Sequence, residues 1–180
     1  FFIHGGYWRA NAARDFTQVA YGPHAMDFTT VLVDYALCPA VTLDEIVRQV
    51  RAAAAWVLRH IGEHGGDPSR VVIGGHSAGG HIAAMMMACA WPLIDADMPA
   101  GAVKQGLGLS GLYDLAPLMQ VPSLQEVLRL TPTHVQQASP ARRVYPRKDN
   151  LSAPSAGEAG AGVYPYVFTT YRLTEHHTAG

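Results

Sequence analysis

A serine placed between two glycines is the residue of this sequence best suited to chemistry. Gly75-x-Ser77-x-Gly79 follows the β-branched run at residues 71–73 and precedes an apolar segment. The pattern predicts a sharp turn from a strand into a helix, where bulkier side chains two residues on either side would clash. A hydroxyl held there, near a helix N-terminus, is typical of a nucleophile in acyl transfer. A glycine-rich turn that binds phosphate is the alternative.

A second glycine motif could supply what acyl transfer also requires. His4-Gly5-Gly6 follows an apolar run at the start of the chain, where a buried strand is predicted to end. Backbone N–H groups must point at the oxyanion of a tetrahedral intermediate, and glycines allow such a backbone to approach the substrate. We therefore predict that the oxyanion donors are the N–H groups of Gly6, Tyr7 and Ala78.

The elements that must position these motifs alternate between strands and helices. Buried strands are predicted at residues 1–3, 29–33, 71–73 and 107–109. Thr42 and Glu45 predict a capping box that begins an amphipathic helix, which Gly65 and Gly66 end. The alternation indicates a mostly parallel α/β sheet with helices on both faces.

Two further helices are predicted after the serine. The segment at residues 81–90 is apolar nearly all round, which is typical of a helix in the interior. Ser123 and Glu126 predict a second capping box, at the start of a short helix that Pro132 stops.

Composition argues against several classes of protein. The chain is 49% hydrophobic and 15% charged with a net charge of −1, so it can bury a core and has no basic excess for nucleic acid. Its most apolar stretch, residues 82–94, is too short to span a membrane and contains Pro92. Cys38 and Cys89 lie outside any C-x-x-C pair, so we expect two buried thiols in a cytoplasmic protein.

Several motifs resemble those of one known family. H-G-G-Y-W-R at residues 4–9, D-Y-A-L-C-P at 34–39, G-H-S-A-G-G-H at 75–81 and S-G-L-Y-D-L at 110–115 are similar to segments of the α/β-hydrolases of the kynurenine formamidase (arylformamidase) and carboxylesterase group. The resemblance implies hydrolysis of a small-molecule ester or aryl formamide through an acyl-enzyme on Ser77. It implies no metal or organic cofactor. The charge and the short apolar stretch, in turn, predict neither a nucleic acid nor a membrane as partner.

The rest of that family's machinery is not recognisable in the sequence. In the family, the acid and histidine of the triad follow two further strands, which by resemblance would lie past residue 143. We therefore expect residues 1–143 to be a partial α/β-hydrolase domain, truncated at both ends, whose serine lacks a base and acts weakly or not at all. Packing, loop or turn roles are expected for His4, His76, His81 and Asp114.

Residues 144–180 are predicted to form an irregular tail with one strand-like run at 164–171. Residues 145–180 resemble a segment of the large subunit of molybdenum- or tungsten-dependent formate dehydrogenases, which implies a chimera. The alternatives to a hydrolase are therefore a fragment of a molybdopterin oxidoreductase, or a non-catalytic domain that self-associates through exposed sheet edges. Glu175, His176 and His177 could offer a base or metal ligands, although adjacent histidines on an extended chain face opposite sides.

Overall fold

Strands from along the whole chain form one parallel sheet in the computed structural model, which describes residues 1–142 and 166–169. The strands are β1 (Phe2–Ile3), β2 (Leu32–Val33), β3 (Val72–His76), β4 (Gln105–Leu109) and β5 (Tyr166–Thr169). Their order in the sheet is β2-β1-β3-β4-β5, and every neighbouring pair is parallel. The predicted α/β class is confirmed.

The centre of the sheet is β3, which lies between β1 and β4. Ile3 pairs with Gly75, and the N–H of Ser77 donates to the carbonyl of Leu109 at 2.8 Å, which extends the β3–β4 pairing past the end of β3. The carboxyl ends of parallel strands share one edge of a sheet. The loops that follow β1, β3 and β4 therefore meet at that edge.

Helices and short 3₁₀ turns connect the strands. The α-helices are α1 (Tyr21–His24), α2 (Leu43–His60), α3 (Ala78–Met87), α4 (Pro122–Leu128) and α5 (Pro132–Ala138). The 3₁₀ segments are Ala13–Ala20, Ile61–His64, Pro68–Arg70, Trp91–Leu93, Ala116–Gln120 and Pro140–Arg142.

Both faces of the sheet are in contact with helical segments. Helix α3 packs on β1, β3 and β4 and also contacts α2. Phe16, in the first 3₁₀ segment, lies against Phe2 with ring centroids 6.0 Å apart. Ile3 faces α3, and successive strand residues point to opposite faces of a sheet. Phe2, and with it the 3₁₀ segment that contains Phe16, therefore lies on the other face. Helix α3 is the predicted interior helix, and it begins at Ala78 because Ser77 is its N-cap.

Only half of the predicted capping box at α2 forms. The hydroxyl of Thr42 accepts a hydrogen bond from the N–H of Glu45 at 3.3 Å, and α2 begins at the next residue as expected. The carboxylate of Glu45 instead accepts from Arg48 at 2.7 Å and from Gln49 at 3.0 Å. These hydrogen bonds, that from Arg48 first, lower the pKa of Glu45 to about 2.

The prediction for the second capping box is wrong. Ser123 lies inside α4, whose N-cap is Val121, and it makes no capping bond there. Pro132 begins α5 instead of ending a helix, and the hydroxyl of Thr131 caps that helix by accepting from the N–H of His134 at 3.1 Å. Proline suits the first helical position because the N–H that it lacks would have no partner there.

Part of the predicted tail belongs to the sheet. The strand-like run is confirmed as β5, and it pairs in parallel with β4, whereas the sequence alone places it in an irregular tail. Glu175, His176 and His177 lie outside the described residues. The boundary near residue 143 stays a prediction.

Two expectations from composition can be compared with the structure. Neither cysteine forms a disulfide, but only Cys38 is fully buried, since Cys89 is half-buried. In the part of the chain that the structure describes, no helix has both the length and the apolar character needed to cross a membrane.

The two predicted capping boxes can be tested with a matched pair of variants, one at the residue that caps α2 and one at the residue that caps no helix. We expect Thr42→Ala to lower the free energy of unfolding by about 1 kcal/mol, because it removes the hydroxyl that caps α2. Ser123→Ala is expected to change it by less than about 0.5 kcal/mol. Denaturant unfolding measures both values, and equal losses would contradict this account of the helix starts.

Candidate functional site

Ser77 stands at the junction of β3 and α3 in a backbone conformation that is rare for a residue with a side chain. Its φ is 55° and its ψ is −117°. Two backbone hydrogen bonds hold it, because its N–H donates to Leu109 and its carbonyl accepts from the N–H of His81 at 3.1 Å. Strained backbone of this kind persists only where its surroundings impose it, and it is concentrated at functional sites. The predicted sharp turn is present.

The glycines on either side of Ser77 are required by close contacts of the backbone. A Cβ on Gly75 would lie 2.8 Å from the carbonyl oxygen of Ile3, and it would also overlap the carbonyl of Gly79. A Cβ on Gly79 would lie 2.7 Å from the carbonyl oxygen of His4. The spacing G-x-S-x-G therefore allows the end of β1 to pack directly on the start of α3.

The same packing brings the H-G-G loop beside the serine. A Cβ on Gly5 would lie 3.3 Å from the Cβ of Ser77 and 2.8 Å from the carbonyl oxygen of His76. Gly6 has a φ of 121°, and Tyr7 and Trp8 follow at 49° and 57°. The loop is thus a tight left-handed turn in contact with the strained serine, and Ala78 begins the helix immediately after that serine.

His4 is fully buried, and its ring interacts with its own loop. The ring stacks on Tyr35 at a centroid distance of 4.2 Å, and on Phe16 at 5.7 Å. Its Nδ1 lies 2.8 Å from the carbonyl oxygen of Gly5. Because a carbonyl can only accept, we assign the proton to Nδ1. The contact agrees with the expectation that His4 steadies the loop.

The D-Y-A-L-C-P motif supports this loop, a role that the sequence pattern does not indicate. The hydroxyl of Tyr35 donates to the carbonyl of His4 at 2.9 Å, and the N–H of Cys38 donates to the carbonyl of Trp8 at 2.8 Å. Burial, and next the nearby charge of Asp34, raise the pKa of Tyr35 well above its usual range. The phenol therefore remains a donor at ordinary pH.

His81 and Trp8 lie together behind the loop. Both are completely buried, and their rings meet edge to face with centroids 5.1 Å apart. The Nε2 of His81 donates to the carbonyl of Ala138 at 2.7 Å. Trp8 therefore packs in the core, whereas Tyr7 remains 36% exposed.

Asp114 pairs with Arg142 at the end of the continuous described segment. The guanidinium donates to both carboxylate oxygens, at 2.9 Å and 3.0 Å, and Asp114 also caps the N–H of Ala116. The hydrogen bond from Arg142 is the main reason that the pKa of Asp114 is lowered. This contact agrees with the expected turn role.

The structure brings together Ser77, Ala78 and the loop that carries Gly6 and Tyr7. Among the hydrogen bonds of the described residues, none joins a histidine ring to the hydroxyl of Ser77. Within the same residues, no group of three or more His, Cys, Asp or Glu side chains could hold a metal ion.

Comparisons with known proteins agree with this fold. A family profile described as the alpha/beta hydrolase fold matches residues 1–93. The kynurenine formamidase of Danio rerio is 29% identical over 141 residues, 78% of this chain and 45% of that protein. The carboxylesterase NlhH of Mycobacterium tuberculosis is 37% identical over 87 residues, 47% of this chain and 27% of that protein. The chain thus spans less than half the length of these curated relatives.

A solved structure shows the same fold. Carboxyl esterase 2 of Tuber melanosporum superposes with a TM-score of 0.64 at 22% identity, covering 79% of this chain and 51% of that one.

Replacing Gly79 tests the contact between β1 and α3. We expect Gly79→Ala to lower the free energy of unfolding by at least about 2 kcal/mol, since its Cβ would overlap the backbone of Ile3 and His4. Gly62→Ala is the control, because a Cβ there meets nothing within 4 Å. Its effect should stay below about 1 kcal/mol. A Gly79→Ala protein as stable as the control, in thermal or denaturant unfolding, would refute the packing argument.

The ion pair of Asp114 predicts a dependence of stability on pH. A carboxyl whose pKa is lowered on folding contributes stability above its ordinary pKa, here 3.8, and loses the contribution as pH falls through the lowered value. The difference in unfolding free energy between wild type and Asp114→Asn should therefore shrink from about pH 6 to about pH 2. Asp27→Asn, at an exposed turn, is the control. A difference that does not depend on pH would contradict the prediction.

Proposed function

The chain belongs to the alpha/beta hydrolase fold family, and on that basis we propose that it carries the nucleophile half of a serine hydrolase. The observation that supports this most directly is the backbone of Ser77, with φ at 55° on a strand-to-helix turn. A phosphate-binding turn would not require the H-G-G loop to pack against the serine, as Gly5 does here. We propose small carboxylic esters and aryl formamides as the substrate class, since relatives named as carboxylesterases and kynurenine formamidases share this part of the chain.

The proposed reaction is acyl transfer in two steps. The hydroxyl oxygen of Ser77 bonds to the carbonyl carbon of the substrate and gives up its proton to a base. The resulting oxyanion accepts hydrogen bonds from the N–H groups of Gly6, Tyr7 and Ala78, and its collapse expels the alcohol or the arylamine, which takes up the proton from that base. Water then hydrolyses the acyl-enzyme, which releases the carboxylic acid, formate in the case of a formamide.

We further propose that residues 1–142 supply no effective base for this step. The hydrogen bonds of the described residues support this, since neither the ring of His4 nor that of His81 is bonded to the hydroxyl of Ser77. Asp114 pairs with Arg142 instead of orienting an imidazole. Loss of a triad member leaves catalysis only about 10³–10⁴-fold above water, from the oxyanion hole and binding.

The tail supports no second function at present. Its resemblance to formate dehydrogenase rests on residues of which the structure describes only Tyr166–Thr169. It stays a prediction, for which copurified molybdenum or tungsten with a fluorescent pterin would be the evidence.

Self-association through exposed sheet edges is also a proposal. Light scattering of the purified chain would detect such an assembly.

Labelling with a fluorophosphonate tests the nucleophile. We expect slow labelling of a single site, read by intact mass, and none in Ser77→Ala. The hydrolysis of 4-nitrophenyl acetate should lie at least about 10³-fold below that of a complete esterase. Labelling that survives in Ser77→Ala would remove the proposed role of the serine. Hydrolysis at ordinary esterase rates that Ser77→Ala abolishes would show that a base is present.

A further inference from the structure

The peptide between Gly5 and Gly6 is held by two side chains. The carbonyl oxygen of Gly5 accepts a hydrogen bond from Nδ1 of His4 at 2.8 Å and a second from Nδ2 of Asn11 at 3.2 Å. The N–H of the same peptide belongs to Gly6, one of the three proposed oxyanion donors. A trans peptide is planar, with its C=O and N–H pointing in opposite directions. Whatever fixes the carbonyl of Gly5 therefore fixes the direction of the N–H of Gly6.

The next peptide is held in the same way, but by the main chain. The carbonyl oxygen of Gly6 accepts from the N–H of Arg9 at 3.0 Å and from that of Ala10 at 3.1 Å. The N–H of this peptide belongs to Tyr7, the second proposed donor of the loop. Both loop donors thus belong to peptides whose carbonyls accept two hydrogen bonds. Only the bonds to Gly5 depend on side chains that substitution can remove.

Asn11 is placed to hold the loop from its outer side. It is exposed and has a φ of 74°, a conformation that asparagine tolerates better than most residues. A Cβ on Gly6 would lie 2.8 Å from Nδ2 of Asn11, so the side-chain amide of Asn11 lies directly against the loop backbone. His4, by contrast, is buried between Tyr35 and Phe16, where substitution would also disturb the core.

We propose that Asn11 is a positioning residue for the oxyanion hole, an inference that rests on the proposed hydrolase function. Its amide donates to the carbonyl of Gly5 and keeps the N–H of Gly6 directed to where the oxyanion would form. If the peptide between Gly5 and Gly6 flipped, the carbonyl of Gly5 would point to the oxyanion position in place of the N–H of Gly6. An oxygen lone pair would then repel the developing negative charge.

Two variants of Asn11 separate the side chain from the backbone. Asn11→Gly removes the amide donor and keeps the left-handed conformation accessible. Asn11→Asp keeps the shape but replaces the NH₂ group by a second acceptor that faces the carbonyl of Gly5. The matched control is Asp27→Gly, since Asp27 is exposed and has a φ of 59° at a turn distant in sequence from the loop.

The first measurement is the second-order rate constant of fluorophosphonate labelling at Ser77. We expect it to fall about tenfold in Asn11→Gly and further in Asn11→Asp, with the control unchanged, because losing an oxyanion donor outright costs about 10²–10³ in rate. Melting temperatures of Asn11→Gly and the control should agree, which a merely structural role would not produce. Labelling of Asn11→Gly within about twofold of the control would overturn the inference while the proposed function stands.

The second measurement does not need activity. In NMR spectra of the ¹³C,¹⁵N-labelled chain, Asn11→Gly should shift the carbonyl carbon of Gly5 and the amide of Gly6, and Asp27→Gly should shift neither. If wild type is not labelled at Ser77, the proposed function fails, and this measurement then decides only whether Asn11 holds the peptide between Gly5 and Gly6. Unchanged resonances of both loop glycines in Asn11→Gly would refute it.

Discussion

The contact between two stretches of main chain is the constraint on which this site depends. The backbone of Ile3 and His4 lies so close to that of Gly75 and Gly79 that neither glycine could carry a methyl group. This contact joins the end of β1 to the start of α3. It therefore places the H-G-G loop beside Ser77, whose own strained backbone is held by bonds to Leu109 and His81.

Around that contact, the loop is ordered mainly by hydrogen bonds to its carbonyl groups. Tyr35 and Cys38 hold the carbonyls of His4 and Trp8 from the segment after β2. The intervening carbonyls of Gly5 and Gly6 are satisfied from within the loop. The carbonyls of Gly5 and Gly6 each accept two hydrogen bonds, so the N–H groups of the same two peptides point the opposite way. That is the side on which we propose that the oxyanion forms, held by backbone N–H groups and no charged side chain.

Sequence reasoning succeeded where a feature depends on neighbouring residues, and failed where distant or competing partners decide. Strand β3, the turn at Ser77 and the interior helix α3 could all be predicted, because their signals are glycines and apolar runs within about twenty residues of one another. Glu45 does not complete the capping box because its carboxylate accepts a hydrogen bond from Arg48 and not from the backbone N–H of Thr42. Pro132 carries the same signal whether it ends or begins a helix, and the pairing of β5 with β4 depends on residues far apart in the chain. The role proposed for Asn11 has no signal in the sequence.

Because Gly75 and Gly79 are needed for close packing, their presence alone is not evidence of catalytic activity. The two glycines are required for β1 and α3 to approach each other, whether or not a substrate ever binds. A descendant of this fold that had lost its chemistry would still be under selection to keep them, since replacing either would damage the core. In a pseudoenzyme of this kind, G-x-S-x-G would thus record shared architecture, and only the residues that serve the hydroxyl of Ser77 would be free to drift.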